Sequence, residues 1–540
     1  MWKRIWYAIR GIIEKMFGKT IEQALGILPI MSSKMEEAID TWDKMYRNEA
    51  DWLHEPSAAD PIKIVSLGIP SFIASEKARC ATIEMKSVIT EPNAPVTSVN
   101  TQITQDTPTT TRAEYLNKQY QLHLIPHIRR ELEYGIAKGG LIFKPYVYND
   151  VDIAFTFCQA DEFFPISFDT AGKMTEAAFV ERFTNKNIVF TRLEYHKLNK
   201  DNSVTVVNKA FKSYKSDGTK DELGTEVALT SVPAWEDIPP VTTINGVDRL
   251  LFAYFKMPDA NTIDTTSPLG VSAYARAVKL IREADLQYSR LVWEYEGGQM
   301  AIDVDRDALK VVDAYNAEGK VVRQEKSNIL QARLFRKVDL NSDETYNVFN
   351  PSLRDTNYIS GLNNILMRIE DTVGLSRGTL SDITRSEAKT ATEMLILRQR
   401  SYSANADIQK SLQAALDDCV YVMNVYASLY KLAPEGEYSI SYEWDDSLIN
   451  SPEEELQRRL LLMQSGLESK VNLRMWYYGE TEDQAIQELA KVQQEALANA
   501  QLQAIATGMV QAAQPQSQTE QQPGKTAQPQ NPNSQGGGNK

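Results

Sequence analysis

The residues that could bind a phosphate come first, because Gly-Lys-Thr occurs twice, at Gly18-Lys19-Thr20 and Gly524-Lys525-Thr526. A phosphate loop needs another glycine upstream so that backbone N–H groups can turn toward the anion, and the chain has Ile13 and Thr519 at those places. Neither copy is therefore read as a nucleotide site. Of the histidines, His54, His123, His127 and His196, only His123 and His127 stand at metal-pair spacing, and Pro126 between them breaks the helix face such a pair requires. The groups Asp303/Asp305/Asp307 and Asp445/Asp446 have the carboxylates of a two-metal nuclease, but their surroundings read as turns at strand ends, where Asp is common for local reasons. Cys80, Cys158 and Cys419 are scattered, without metal or disulfide spacing, as in a reduced cytoplasmic protein. With no GxSxG elbow and no Cys/His pair, no catalytic residue, metal or cofactor is assigned, and the sequence reads as a structural or binding protein.

The charge balance narrows this further. The 540 residues carry 58 Lys+Arg against 72 Asp+Glu, a formal net charge of −14. Such a chain does not clamp nucleic acid over a basic surface. Residues 1–30 form an amphipathic arm, with Trp2, Ile5, Trp6, Ile9, Ile12, Ile13, Met16 and Phe17 interleaved with Lys3, Arg4 and Arg10. Arg10 and Glu14 interrupt any signal-peptide core, and the longest apolar stretch, about 419–432, is too short to span a bilayer.

The elements that must position any site are α+β. Residues 31–90 read as helices from Met35, Ile39, Trp42, Met45 and Leu53, and residues 141–245 as strands separated by Asp, Asn, Gly and Lys turns. Ser267-Pro268-Leu269-Gly270 looks like a helix start, followed by a 3.6-residue period from Tyr274 to Tyr295 and a stop at Gly297-Gly298. A strand-rich insert, 299–354, contains VVRQ, ILQARLFRKVDL and YNVFN. A second helix runs to Gly374, a Ser/Thr-rich loop follows, and 387–432 holds no Gly or Pro, so an extended or oligomeric neighbour must receive it. EYSISYEW is a strand, short helices occupy 450–511, and 512–540 has a composition that cannot fold.

That order of elements resembles the bacteriophage portal proteins, and particular stretches are most similar to those of long-tailed phages infecting Gram-positive bacteria. They are WDKMYRNEADWL (Trp42–Leu53), SLGIPSFIASE (Ser66–Glu76), GIAKGGLIFKPY (Gly135–Tyr146), ADEFFPISFD (Ala160–Asp169), LEYH (Leu193–His196), SPLGVS (Ser267–Ser272) and KTATE (Lys389–Glu393). The resemblance implies a portal-type fold: a wing at 31–266, a first stem helix within 267–298, a clip at 299–354, a second stem helix at 355–374, a tunnel loop at 375–386, a long wing helix and strand at 387–449, a crown at 450–511 and a disordered tail at 512–540. It also implies a homo-oligomeric ring, a dodecamer, at one capsid vertex. Double-stranded DNA would pass through it, driven by a terminase large subunit, with a head-completion adaptor and the major capsid and scaffolding proteins as further partners. Assembly would take place in the bacterial host cytoplasm and the product would be a virion component. The arm 1–30 is unexplained by the resemblance.

Two candidate sites follow. A DNA-facing set, Arg377, Thr379, Ser381, Thr384, Arg385 and Lys389, joins hydroxyls and cations on a loop expected to be flexible and only weakly basic, as a moving phosphate backbone requires. A terminase- or adaptor-binding set, Arg333, Arg336 and Lys337, lies in an insert with nine Lys/Arg and nine Asp/Glu, a mixed surface suited to exchangeable partners. The competing class is a capsid-associated scaffolding or peripheral membrane protein anchored by the N-terminal helix.

Overall fold

The computed structural model describes residues 24–27, 30–54, 56, 62–83, 85–92, 104, 109–214, 223–305, 311–315, 319–326, 335–338, 346–382, 391–444 and 452–511. The chain divides into two compact units that part after Ile449.

The first unit begins with α1 (Ser33–Tyr46), which buries Met35, Ile39, Trp42 and Met45 at helical spacing, and α2 (Ile69–Thr82), entered through Gly68 at φ 68° with Pro70 in its first turn. The next segment departs from the helical expectation for 31–90, since β1 (Met85–Thr90) is a strand. Thr111 and Glu114 form a reciprocal capping box that starts α3 (Arg112–Gln119), and a π-helical turn, Tyr120–Leu124, leads into α4 (Ile125–Lys138). Gly139, at φ 90°, ends α4 and opens β2 (Gly140–Tyr148), which pairs with β3 (Asp152–Gln159).

The strand-rich reading of 141–245 holds. β4 (Phe163–Phe168), β5 (Met174–Asn185), β6 (Ile188–Leu198), β7 (Ser203–Tyr214) and β8 (Thr225–Val227) follow in sheet order, and β9 (Val241–Asn245) pairs with β7. β10 (Ala253–Lys256) returns to pair with β2. The end of the N-terminal arm lies on the six-stranded sheet: Ala24, Leu25, Ile27 and Met31 pack against the group around Phe164, Leu193 and Phe211, Lys209 donates to the Ala24 carbonyl, and Ile30 N–H donates to Pro165 O.

The motifs behind the resemblance meet in space. Lys138, buried, bridges Asp43 Oδ1 at 2.7 Å and Asp161 Oδ2 at 2.8 Å, which joins three of them. Burial alone would lower this ammonium's pKa, but the two carboxylates hold it above its ordinary value. Gly139 and Gly270 form a backbone crossing in which a Cβ on Gly270 would sit 2.1 Å from the Gly139 carbonyl oxygen. Ser267–Ser272 is therefore not a helix start. The chain stays irregular until a 3₁₀ turn at Ala275–Ala277, and the helix α5 runs only over Val278–Gly297.

Leaving α5, Gly298 clears Leu353 and the Glu294 carbonyl, which a Cβ there would meet at 2.3 and 2.8 Å. The insert contains β11 (Ala301–Asp305), β12 (Val311–Tyr315), β13 (Val321–Lys326), β14 (Phe335–Val338) and β15 (Tyr346–Phe349), as a sheet ordered β14-β11-β15 and a β12-β13 hairpin. Arg354 closes its base with a fork onto Glu294, at 3.1 and 2.7 Å. α6 (Asp355–Val373) then returns along α5, with Gly361 beside Gln287.

The long helix α7 spans Ala391–Leu429, about 58 Å at 1.5 Å per residue. Its second half is received by the unit's own core, through Ile408, Leu412, Leu416, Val420 and Met423. β16 (Ser439–Trp444) pairs antiparallel with β1.

The second unit has α8 (Pro452–Gln464), α9 (Lys470–Tyr478) and α10 (Glu482–Gln511). Arg459 bonds Glu468 and lies over the Trp476 ring, while Arg474 bonds Glu480 and lies over Tyr478. Among its described residues only Ala485 is fully buried, and Leu461, Leu467, Tyr477, Tyr478, Leu497 and Leu502 are exposed. Arm residues 1–23, Asp307, Asp445, Asp446 and the tail 512–540 lie outside the described residues.

Candidate nucleic-acid interface

The candidate loop is organised by a carboxylate at the end of α6. Glu370 is fully buried, and its Oε1 accepts from the N–H groups of Gly378 (3.1 Å), Leu380 (2.6 Å) and Ser381 (2.9 Å). Its Oε2 accepts from the Ser381 hydroxyl at 2.7 Å. Gly374, at φ 75°, supplies the left-handed turn that ends α6, and Leu375 N–H closes back onto the Glu370 carbonyl. The chain then curls so that successive backbone donors converge on one point, a concavity that elsewhere receives an external anion. Here it is filled from within.

A second clamp lies two turns earlier on α6. Asn363 donates to the Asp382 carbonyl at 3.1 Å and accepts from Asp382 N–H at 2.7 Å. Residues 374–382 are thus folded back on α6 at two places. This corrects the expectation of a uniformly flexible loop for its first half: charge-assisted hydrogen bonds to a buried carboxylate hold it in one conformation.

The structure distributes the DNA-facing candidates unequally. Arg377 forks onto Asp371, at 3.1 and 2.8 Å, and that hydrogen bond raises its pKa. The Thr379 hydroxyl donates to the Ser376 carbonyl at 2.7 Å. Ser381 is buried with its hydroxyl on Glu370, so in this conformation it presents nothing to a passing ligand. Thr384, Arg385 and Lys389 lie outside the described residues.

Of the second set, Arg336 and Lys337 are on β14, which runs parallel to β11 with Arg336 in register with Asp303 and Lys337 with Val304. Arg333 lies outside the described residues. Two of these cations are thus consecutive positions of one strand in the insert's sheet.

Sequence reasoning missed Glu370 and Asn363. Both sit on a helix where a polar residue reads as solvent-facing, and the available signal was downstream: a helix-ending glycine followed by Ser-Arg-Gly-Thr-Leu-Ser, a run able to turn its N–H groups inward. Among the described residues no group of His, Cys, Asp or Glu could hold a metal ion, and no helix is long and apolar enough to cross a membrane.

The chain thus joins a helical hairpin with a strand-rich tip, a clamped loop, a very long helix, and a second unit with almost no core among its described residues. The phage portal protein family of the SPP1 Gp6-like type matches residues 39–499, and the chain belongs to that family. Its members are structural rather than enzymatic, components of the virion capsid that act in genome packaging at the head-tail connector. No curated protein matches the chain. The matched span includes all seven motifs and leaves the arm 1–30 and the tail 512–540 outside.

Proposed function

We propose that the chain closes into a ring of like subunits, a dodecamer in the assembled head, around a channel through which double-stranded DNA is packaged and later ejected. The observation that supports this most directly is the apolar surface at the distal end of the α5–α6 hairpin. Trp293, Tyr295, Met300, Tyr346, Val348 and Leu353 are all exposed there. Large apolar side chains left exposed near one end of a hairpin are a surface for association, and copies related by rotation would cover it identically in every subunit.

In this reading α5 and α6 are the stem, 299–354 the clip that meets the terminase large subunit and then the head-completion adaptor, and 375–386 the tunnel loop. The net charge of −14 suits a wall that lets phosphates slide rather than one that holds them. Because residues 374–382 are clamped, contact with DNA falls to Arg377 at the edge of the clamp and to the following segment with Arg385 and Lys389.

Electron microscopy of the purified chain tests the ring: closed rings with a central hole support it, and a monodisperse monomer at micromolar concentration refutes it. In an assembly system, Arg377→Glu with Arg385→Glu should reduce packaging rate or packaged length while rings and procapsids still form. Arg333→Ala, Arg336→Ala and Lys337→Ala together should weaken terminase docking without loss of rings; absence of rings would make the insert structural instead.

A further inference from the structure

A cavity of about 210 Å³ lies where α2, the 257–259 and 271–276 segments, the end of α6 and the middle of α7 come together. Lys77, Asp259, Ser272, Arg276, Asp371 and Asp407 line it. Lys77 comes from the buried face of α2, among Ala74, Ala78 and Ala81, and is 2% exposed. Its ammonium lies 4.0 Å from where a Cβ on Gly374 would be, beside the hinge of the clamped loop.

The charges around this cavity do not balance. Asp371 is forked by Arg377, and Asp407 is exposed to solvent, 3.8 Å from Lys410. Lys77, Arg276 and Asp259 make no side-chain hydrogen bond and no ion pair among the described residues, and Asp259 acts on Lys77 only at longer range. Desolvation accordingly lowers the Lys77 pKa. Two uncompensated cations therefore face one uncompensated carboxylate. The C-terminal end of α6, whose residues 371–374 form one wall, adds a partial negative charge of about one half. What remains is an excess of about half a positive charge, carried by Lys77 and Arg276.

We infer that this cavity is an acceptor pocket for a carboxylate side chain carried by a neighbouring copy of this chain, bound between Lys77 and Arg276. The inference rests on the ring reading, and it makes this pocket one of the polar locks between subunits. Charge favours that occupant: with 72 acidic residues against 58 basic, a second copy carries carboxylates in excess. Arg276, exposed, is placed to meet the incoming group, and Lys77 to hold it where water is scarce. The simpler alternative is that Lys77 is a buried cation tolerated by the end of α6.

The two readings differ on Lys77→Met, which keeps the length of the side chain and removes the charge. A buried ammonium with no role in assembly is replaced by an apolar side chain at no loss, or with a gain, in subunit stability and with no effect on the ring. An acceptor for a neighbour's carboxylate cannot be replaced without loss of ring affinity.

Mass photometry over a dilution series of full-length wild type and Lys77→Met is expected to move the ring-to-subunit midpoint at least tenfold higher in concentration for the variant, with the subunit melting temperature unchanged or raised. An unchanged midpoint overturns the inference while the wild-type rings stand; absence of rings from the wild type overturns both readings. If the variant melts lower, the wild type itself decides. Equal amounts of ¹⁵N-labelled and unlabelled chains, co-assembled and treated with a zero-length carbodiimide, are expected to give an isopeptide at Lys77 joining labelled to unlabelled peptides. Products confined within one chain, or none at Lys77, overturn it.

Discussion

Glu370→Gln tests the clamp at the root of the loop. The carboxylate accepts four hydrogen bonds, three from backbone N–H groups and one from the Ser381 hydroxyl, in a site closed to water. Hydrogen bonds to a charged acceptor contribute roughly 1.5–3 kcal/mol and neutral ones about 0.5–1.5. Neutralising the group while keeping its shape therefore removes about 1 kcal/mol per bond, partly offset because a buried charge no longer has to be desolvated. A net weakening of about 1–3 kcal/mol falls on the loop alone, since α6 remains packed on α5. At 1.4 kcal/mol per factor of ten this predicts roughly 5- to 150-fold faster amide exchange. Hydrogen–deuterium exchange on a peptide covering 374–382 reads it directly, with peptides from α7 as the internal reference. Equal exchange in the two proteins would refute the idea that Glu370 holds the loop.

Lys138→Met leaves Asp43 and Asp161 facing each other without their cation, and breaking such a buried set costs about 3–5 kcal/mol, seen as a melting temperature lower by roughly 10 °C. Gly270→Ala drives a Cβ into the Gly139 carbonyl at 2.1 Å; a loss of about 3 kcal/mol is expected by thermal melting, and wild-type stability would mean that the two loops separate at little cost. The third test is acid sensitivity. His196 is buried against Phe179 and Phe252 with Nε2 on Glu194 at 2.6 Å; desolvation lowers its pKa more than Glu194 raises it. For Glu194, burial pushes the pKa up, but Lys144, His196 and Arg192 prevail and hold it well below the usual carboxylate range. Both folded-state values are depressed, so the stability they contribute is complete above the unfolded values of ~6.5 and ~4.3 and is lost as pH falls below each in turn. Melting temperature should drop between pH 7 and 5.5 by the equivalent of about 1 kcal/mol, and His196→Gln, which keeps a donor toward Glu194, should remove that part of the slope; an identical slope in the variant would exclude His196 as its source.

How far the sequence carried depended on how local each cause was. The strands of 140–245 were legible because β-rich runs and the turn residues between them are local, as in Ile188–Leu198 and Ser203–Tyr214. The strand-rich insert and the stop at Gly374 were legible for the same reason. β1 was not, because MKSVIT becomes a strand only by pairing with Ser439–Trp444, far along the chain. The start of α5 was misplaced because Ser-Pro-Leu-Gly has the chemistry of a helix cap but is used for the backbone crossing at Gly139, which no local pattern announces. In the candidate site the residue types were legible and their roles were not. Ser381 reads as a free hydroxyl until Glu370, a residue of the preceding helix, is brought onto it.

A ring-forming subunit with the α5–α6 hairpin at the axis is open to cryo-electron microscopy of the purified full-length protein. Closed rings of a single symmetry are expected, in which Trp293, Tyr295 and Leu353, exposed in the lone subunit, are covered by a neighbouring copy. Monomers at micromolar concentration, or rings in which this surface stays in contact with solvent, would contradict it.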